Sequence, residues 1–334
     1  MSRYALIVGI NDYPANKLTG SVNDAEEVAK LLARHEDGSE NFNFLLRAKG
    51  KIRKATLKSD IVRLFSRECD IALFYFSGHG SADHYGYHIV TSDAMPHDMG
   101  VPMTEILTIV NASPAQNKII ILDCCHAGGI DEMVQMSKGM TVRLCNGVTI
   151  LSSSRAHEVS FEVNGHSVFT SLFTEALKGG AADLNGNTTP GSIYAFIDKV
   201  LGPEEQRPVF KTNVSEFISL RSVRPQVPPE VMNRLDEFFP HRDDVYPLDP
   251  SFEYTNDPAY EQMLRKPYHD PPNAVLFKQL QKLQSVGLVA PCDREHMYFA
   301  AMDSTGCRLT TLGKHYWKMM KAKKSKGGEV KTQK

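Results

Sequence analysis

The chain has 334 residues, 42% apolar and 23% charged, which is the composition of an ordinary folded globular protein. That excludes a mostly disordered chain, a collagen-like chain and a disulfide scaffold, and apolar runs such as Ile119–Leu122 fall far below the roughly 18 residues of a membrane span. The formal charge of −1 divides into −3 over residues 1–225, −6 over 226–270 and +8 over 271–334: a near-neutral body, an acidic connector and a basic end, hence at least two units.

The first apolar run, Tyr4–Val8, is too short for a signal peptide and reads as a buried strand, so the expected compartment is the cytoplasm. Ser21–Asp24 opens a helix whose Val22, Ala25, Val28, Ala29 and Leu32 recur at helical spacing. Residues 43–46 suit a second strand and 56–65 a second helix. A buried strand is expected over 70–76, a short helix over 104–110, the strongest strand over 118–122 and another over 147–151. Helices are expected over 169–177 and 192–200. Apolar strands alternating with helical patterns predict a mostly parallel sheet with helices on both faces.

After Leu220 the texture changes. Residues 224–275 are rich in proline and acidic residues and read as a connector. Helical periodicity resumes over 274–286. Gly287-Leu288-Val289 and a hairpin-like stretch with strands at 298–301 and 308–310 follow, and a last helix covers 312–320. That order resembles part of a winged-helix module. The predicted division is 1–222 for the main domain, 223–272 for the connector, 273–322 for the winged-helix-like module and 323–334 for a basic disordered tail.

Six cysteines stand at 69, 124, 125, 145, 292 and 307, with no C-x-x-C pair. Neighbouring cysteines rarely reach disulfide geometry, so buried or reactive thiols are expected. Two motifs end strands: Phe76-Ser77-Gly78-His79-Gly80 and Leu122-Asp123-Cys124-Cys125-His126-Ala127-Gly128-Gly129. Ligands of open parallel sheets collect beyond the carboxyl ends of the strands. A thiol and an imidazole meeting there suit a cysteine nucleophile, with glycine-rich backbone N–H groups to hold an oxyanion. His79 precedes Cys125 by 46 residues, close to the roughly 50 of caspases.

Gly9–Tyr13, Asn23-Asp24-Ala25 and these two motifs stand in the order of the caspase-like cysteine peptidases, and residues 1–220 resemble the metacaspase-like or bacterial caspase-like branch. The resemblance implies a caspase-like α/β fold. It implies His79 as general base, Cys125 as nucleophile and the N–H groups of Gly80 and Cys125 as oxyanion hole. Cys124 takes a position often held by serine. It further implies an acidic substrate pocket from Asp24, Ser77 and Asp123. Two carboxylates select a cation, so cleavage after Arg or Lys is expected. Bacterial relatives of this compact type often act in stress or antiviral defence.

Self-cleavage is expected in the loop after the nucleophile, at Lys138 in preference to Arg143. The expected partners are a protein substrate and a protein activator or adaptor at the C-terminal region. Lys318, Lys321, Lys323, Lys324 and Lys326 could contact phosphates, but a protein-interaction module is the favoured reading of that end. No membrane association, metal or cofactor is expected. Zinc at His79, His84, His88, Cys124, Cys125 and His126 has the wrong spacing. The turn at Asp183–Asn187 lacks the glycine (Thr188) and glutamate (Tyr194) of a calcium loop. Calcium activation, seen in some metacaspases, stays open. The rival readings are a non-enzymatic scaffold and a nucleic-acid-binding regulator.

Overall fold

The computed structural model describes residues 1–83, 86–124, 143–153, 162–163, 165–201, 207–260 and 264–329. It divides into two compact units, Met1–Arg224 and Pro225–Lys334.

In the first unit the chain runs β1 (Arg3–Gly9), α1 (Ser21–Ala33), β2 (Asn43–Arg47), α2 (Lys54–Phe65), β3 (Ile71–Ser77), β4 (Gly80–Asp83), β5 (Gly86–Met95), β6 (Asp98–Pro102), α3 (Met103–Asn111), β7 (Asn117–Asp123) and β8 (Val148–Ser152). Short strands β9 (Glu162–Val163) and β10 (His166–Ser167) precede a helix over Val168–Glu175. Then come β11 (Asn187–Thr188), a helix over Pro190–Val200, β12 (Val209–Asn213) and β13 (Arg221–Ser222). The main sheet has the order β12-β8-β7-β3-β1-β2. All its pairings are parallel except β12 with β8.

Alternation along the strands sorts the core into two layers, as the two-residue side-chain period requires. Leu6, Val8, Phe74, Phe76, Ile120 and Leu122 face α2 and α3. Ala5, Ile7, Leu73, Tyr75, Ile119 and Ile121 face α1 and the helices at Val168–Glu175 and Pro190–Val200. The same period puts Ser77 and Asp123 on the α1 face. Pairing sets them side by side, with Gly9 opposite Ser77 and Ser77 opposite Asp123. A Cβ on Gly9 would meet the Ser21 carbonyl at 2.2 Å, so only glycine lets α1 begin this close to the strand end.

The chain suggests a strand or hairpin around His84 and His88 beside the cleft, and β4 and β5 lie there; the third strand of that antiparallel sheet, β6, and the antiparallel edge strand β12 were not legible. β6 and β12 are short and half-polar, five residues each, and only their pairing defines them.

The second unit corrects the expectation for 223–272. These residues are not a bare connector; they supply part of the unit's core. Phe238, Phe239, Tyr246 and Phe252 form a chain of ring contacts that ends on Phe277 of the helix Pro271–Ser285. Strand β14 (Val245–Tyr246) completes a three-stranded sheet with β15 (Val289–Pro291) and β16 (Cys307–Leu309). The aromatic residues lack regular spacing because they pack from irregular chain, which hides them from a periodicity reading.

Residues 297–302 also differ from expectation: they form a helix, not a strand. Met297, Ala300 and Ala301 are buried on one side of it, with Tyr298 and Phe299 exposed. The last helix, Thr311–Glu329, runs into the segment read as a tail. Its lysines meet the acidic segment: Lys314 reaches Asp243 and Lys324 reaches Asp236, both at 2.6 Å. Trp317 Nε1 donates to the Phe239 carbonyl at 2.6 Å. Among the described residues no helix is long and apolar enough to cross a membrane.

Candidate active site

Strand β3 ends on Ser77 and delivers His79 two residues later. The backbone N–H of Gly78 donates to the Asp123 carbonyl at 3.1 Å, and Ile10 N–H donates to the Ser77 carbonyl at 3.0 Å. The strand ends of β1, β3 and β7 are thereby locked together. A Cβ on Gly78 would lie 2.3 Å from the Tyr13 hydroxyl, so Tyr13 and the histidine turn can approach only across a glycine.

His79 is held at three points. Its backbone N–H donates to Tyr13 Oη at 2.9 Å, and its ring packs on the Tyr13 ring at 4.6 Å between centroids. Its Nε2 lies 2.5 Å from the Asn16 carbonyl oxygen. A carbonyl only accepts, so Nε2 carries the proton and Nδ1 is the basic nitrogen. Burial drives the Tyr13 phenol pKa upward, which keeps it neutral. Tyr13 ends the Gly9–Tyr13 motif, which assigned it no role, and Asn16 was not singled out; Pro14 and the short loop after β1 were the available signal.

Beside the histidine lies a buried polar cluster. Asp24 of α1 is 1% exposed and Asp123 2% exposed. Ser77 Oγ donates to Asp24 Oδ2 at 3.3 Å, and Ser167 N–H donates to the same oxygen at 3.2 Å. Asp24 Oδ1 is 2.8 Å from His166 Nδ1. Thr170 Oγ1 donates to Asp123 Oδ2 at 2.5 Å and contacts Tyr75 Oη at 2.6 Å. Asp123 Oδ1 is buried and has no hydrogen-bond partner among the described residues.

Two carboxylates in one dry place resist ionisation. Asp24 is pushed up to about 6, first by burial and then by the charge of Asp123, against the opposing pull of His166 and the Ser167 N–H. Burial likewise raises Asp123, opposed by the hydroxyls of Ser167, Thr170 and Ser153. Tyr75 beneath them stays protonated, its phenol raised by burial and by both carboxylates. The structure thus brings Asp24, Ser77 and Asp123 together and sets His79 one turn away. His166, Ser167 and Thr170 complete the cluster from 142 or more residues after Asp24, with no motif to mark them.

Cys125, Lys138, His84 and His126 lie outside the described residues. Cys124, the last described residue of its motif, is buried in the layer facing α2 and α3. Arg143 has an exposed side chain, but its peptide is tied down. Asn111 Nδ2 donates to its carbonyl at 2.9 Å, Asn213 Nδ2 donates to the Leu144 carbonyl at 2.8 Å, and Cys145 N–H donates to Asn111 Oδ1 at 3.0 Å. At the Asp183 turn, Asp183 Oδ1 accepts the N–H groups of Asn185 and Asn187, both at 2.8 Å, as in an ordinary Asx turn.

A search of curated proteins gives no match. Among solved structures, a protein from Geobacter sulfurreducens aligns with a TM-score of 0.50 at 18% identity, over 67% of this chain and all of the other; the likeness is one of fold. Caspase-1 from Spodoptera frugiperda aligns with a TM-score of 0.49 at 13% identity, over 67% of this chain and 91% of its own. The sequence model of the caspase domain, Peptidase C14, matches residues 2–218. With that match spanning the sheet and both strand-end motifs, the chain belongs to the caspase-domain family of cysteine peptidases.

Proposed function

We propose that the protein is a cysteine endopeptidase that cleaves a protein substrate after Arg or Lys, with Cys125 as nucleophile and His79 as its base. The observation that carries the specificity is the buried pair Asp24 and Asp123, with Asp123 Oδ1 unpartnered among the described residues. A buried acceptor without a donor is costly, and a guanidinium offers charge and several donors at once. His166 on Asp24 Oδ1 is the internal partner that such a cation would share or displace.

The orientation of the His79 ring supports the catalytic reading. With Nε2–H given to Asn16, Nδ1 of His79 takes the thiol proton. The Cys125 thiolate attacks the scissile carbonyl, and N–H groups of Gly80 and Cys125 hold the oxyanion. Collapse breaks the C–N bond as the imidazolium protonates the leaving amine. Water then adds to the acyl-enzyme, losing its proton to the same imidazole, and frees the carboxylic acid and the thiol. A partner protein in a regulated stress or defence response is the proposed substrate, with the second unit receiving an activator. Peptides that differ only in the residue before the cut, assayed with wild type and Cys125→Ala, test this reading. Efficient cleavage after Asp by wild type would refute the proposed specificity.

Self-cleavage is proposed at Lys138. The Asn111 and Asn213 bonds tie the Arg143 and Leu144 carbonyls to the fold, which counts against Arg143. Activated wild type should yield fragments of about 15 and 22 kDa on cleavage of this 334-residue chain after Lys138. Cys125→Ala should remain whole. Mass spectrometry checks this, and a major cut at Arg143 would reassign the site.

A further inference from the structure

A second recess adjoins His79 on a side that the acidic cluster does not reach. It is a cavity of about 460 Å³ between the loop 13–16 and the β5–β6 hairpin, with His79 and Gly80 in its wall. Neither Asp24, Ser77, Asp123, His166 nor Thr170 lines it. The wall opposite the imidazole is apolar: Val90, Ala94, Met95, Pro96 and Met99. Val90 is buried, Ala94 and Met99 pack against the core layer beneath, and Met95 is 61% exposed at the rim. Among the described residues no Asp, Glu, Lys or Arg contributes to the lining. The hairpin is fixed to the histidine, since Val90 N–H donates to the His79 carbonyl at 3.0 Å.

We infer that this cavity is the subsite for the side chain immediately after the scissile bond and that it takes a large apolar residue such as Leu, Met or Phe. The inference rests on the peptidase reading above. An imidazole that protonates the leaving amine must lie against the nitrogen of the residue after the cut. Consecutive residues are spaced only about 3.3–3.6 Å apart in extended chain, so that residue's side chain is the one within reach of the recess. The volume lies within the range of about 300–1,000 Å³ typical of ligand sites, and methionine walls adapt to different apolar shapes. A charged side chain would lose its hydration there and gain no counter-charge. Lys138 is followed by Gly139, which leaves the recess empty. Cleavage within one chain tolerates that because tethering raises the effective concentration of the loop.

The test uses internally quenched peptides with Arg before the cut and Leu, Gly, Asp or Lys after it. Leu should exceed Gly in kcat/KM by about tenfold or more, the scale of a filled against an empty apolar pocket, and should exceed Asp by more. Met95→Glu changes an exposed position that folding tolerates, and it should make Lys after the cut better than Leu. Equal rates for Leu, Gly and Asp, or an unchanged order in Met95→Glu, would overturn the inference. If no peptide is cut, the peptidase reading fails, and a binding measurement decides the cavity by itself. In protein carrying ¹³C-methyl methionine, titration with the dipeptide amide Leu-Ala-NH₂ should shift the Met95 and Met99 signals while Asp-Ala-NH₂ should not. No shift with the leucyl peptide would overturn the assignment.

Discussion

Cys125→Ala should abolish peptide cleavage, with a loss of at least about 10⁴-fold, since removing the nucleophile leaves only the contribution of binding and the oxyanion hole. Cys124→Ala should keep most of the activity. Cys124 is buried among apolar side chains facing α2 and α3, so the cost falls on stability. Truncating this small side chain should cost about 1 kcal/mol, as for other small deletions in a core. Thermal unfolding and iodoacetamide-sensitive activity, measured on both variants, separate the two cysteines. Activity that survives in Cys125→Ala and disappears in Cys124→Ala would reassign the nucleophile.

Asp24→Ala and Asp123→Asn should each lower kcat/KM for arginyl peptides by about 150- to 5,000-fold. Stripping one partner from a buried ion pair costs roughly 3–5 kcal/mol, and each 1.36 kcal/mol is about tenfold in rate. A peptide with Gln before the cut, poor in wild type, should be nearly unaffected, so the ratio of Arg to Gln cleavage should collapse. Equal losses on both peptides would show that the carboxylates only hold the fold.

The pH dependence has a worked sign. Asp24, raised to about 6 by burial and Asp123, must be ionised to bind a cation. The Arg-to-Gln ratio should therefore fall as pH drops through about 6, with ionisation of the Cys–His pair common to both peptides and cancelling. Folding stability runs the opposite way. A carboxyl with a raised native pKa contributes stability at low pH, which is lost as pH rises from the unfolded value near 4 through about 6. Denaturant unfolding of wild type and Asp24→Asn between pH 4 and 7 checks this: the stability difference between them should change with pH across that window.

How much could be read beforehand differed between the two units. In the first, strands β1, β3, β7 and β8 are nearly unbroken apolar runs, and their order with the intervening helices yields the parallel sheet. Once the strands are placed, alternation alone assigns Ser77 and Asp123 to one face, and the glycine-rich turns put His79 at the same end. In the second, periodicity misled. Tyr298–Ala301 looks like a strand because Tyr298 and Phe299 favour extended chain, yet Met297, Ala300 and Ala301 are buried on one side of a helix. Phe238, Phe239, Tyr246 and Phe252 form a core without any repeat.

The sequence by itself determined which residues carry reactive groups and where each stands along the chain: a thiol and an imidazole at two strand ends, and Ser77 and Asp123 placed to share a face. Local rules suffice for that, because strand alternation and glycine turns act over a few residues. The tertiary structure alone decided what surrounds those groups. Asn16 fixes the tautomer of His79 from 63 residues away, and His166 and Thr170 reach Asp24 and Asp123 from 142 and 47 residues away. The β5–β6 hairpin walls the apolar recess beside the imidazole. Hydrogen bonds and burial act through space, and a partner supplied by a distant loop leaves no periodic trace in the chain.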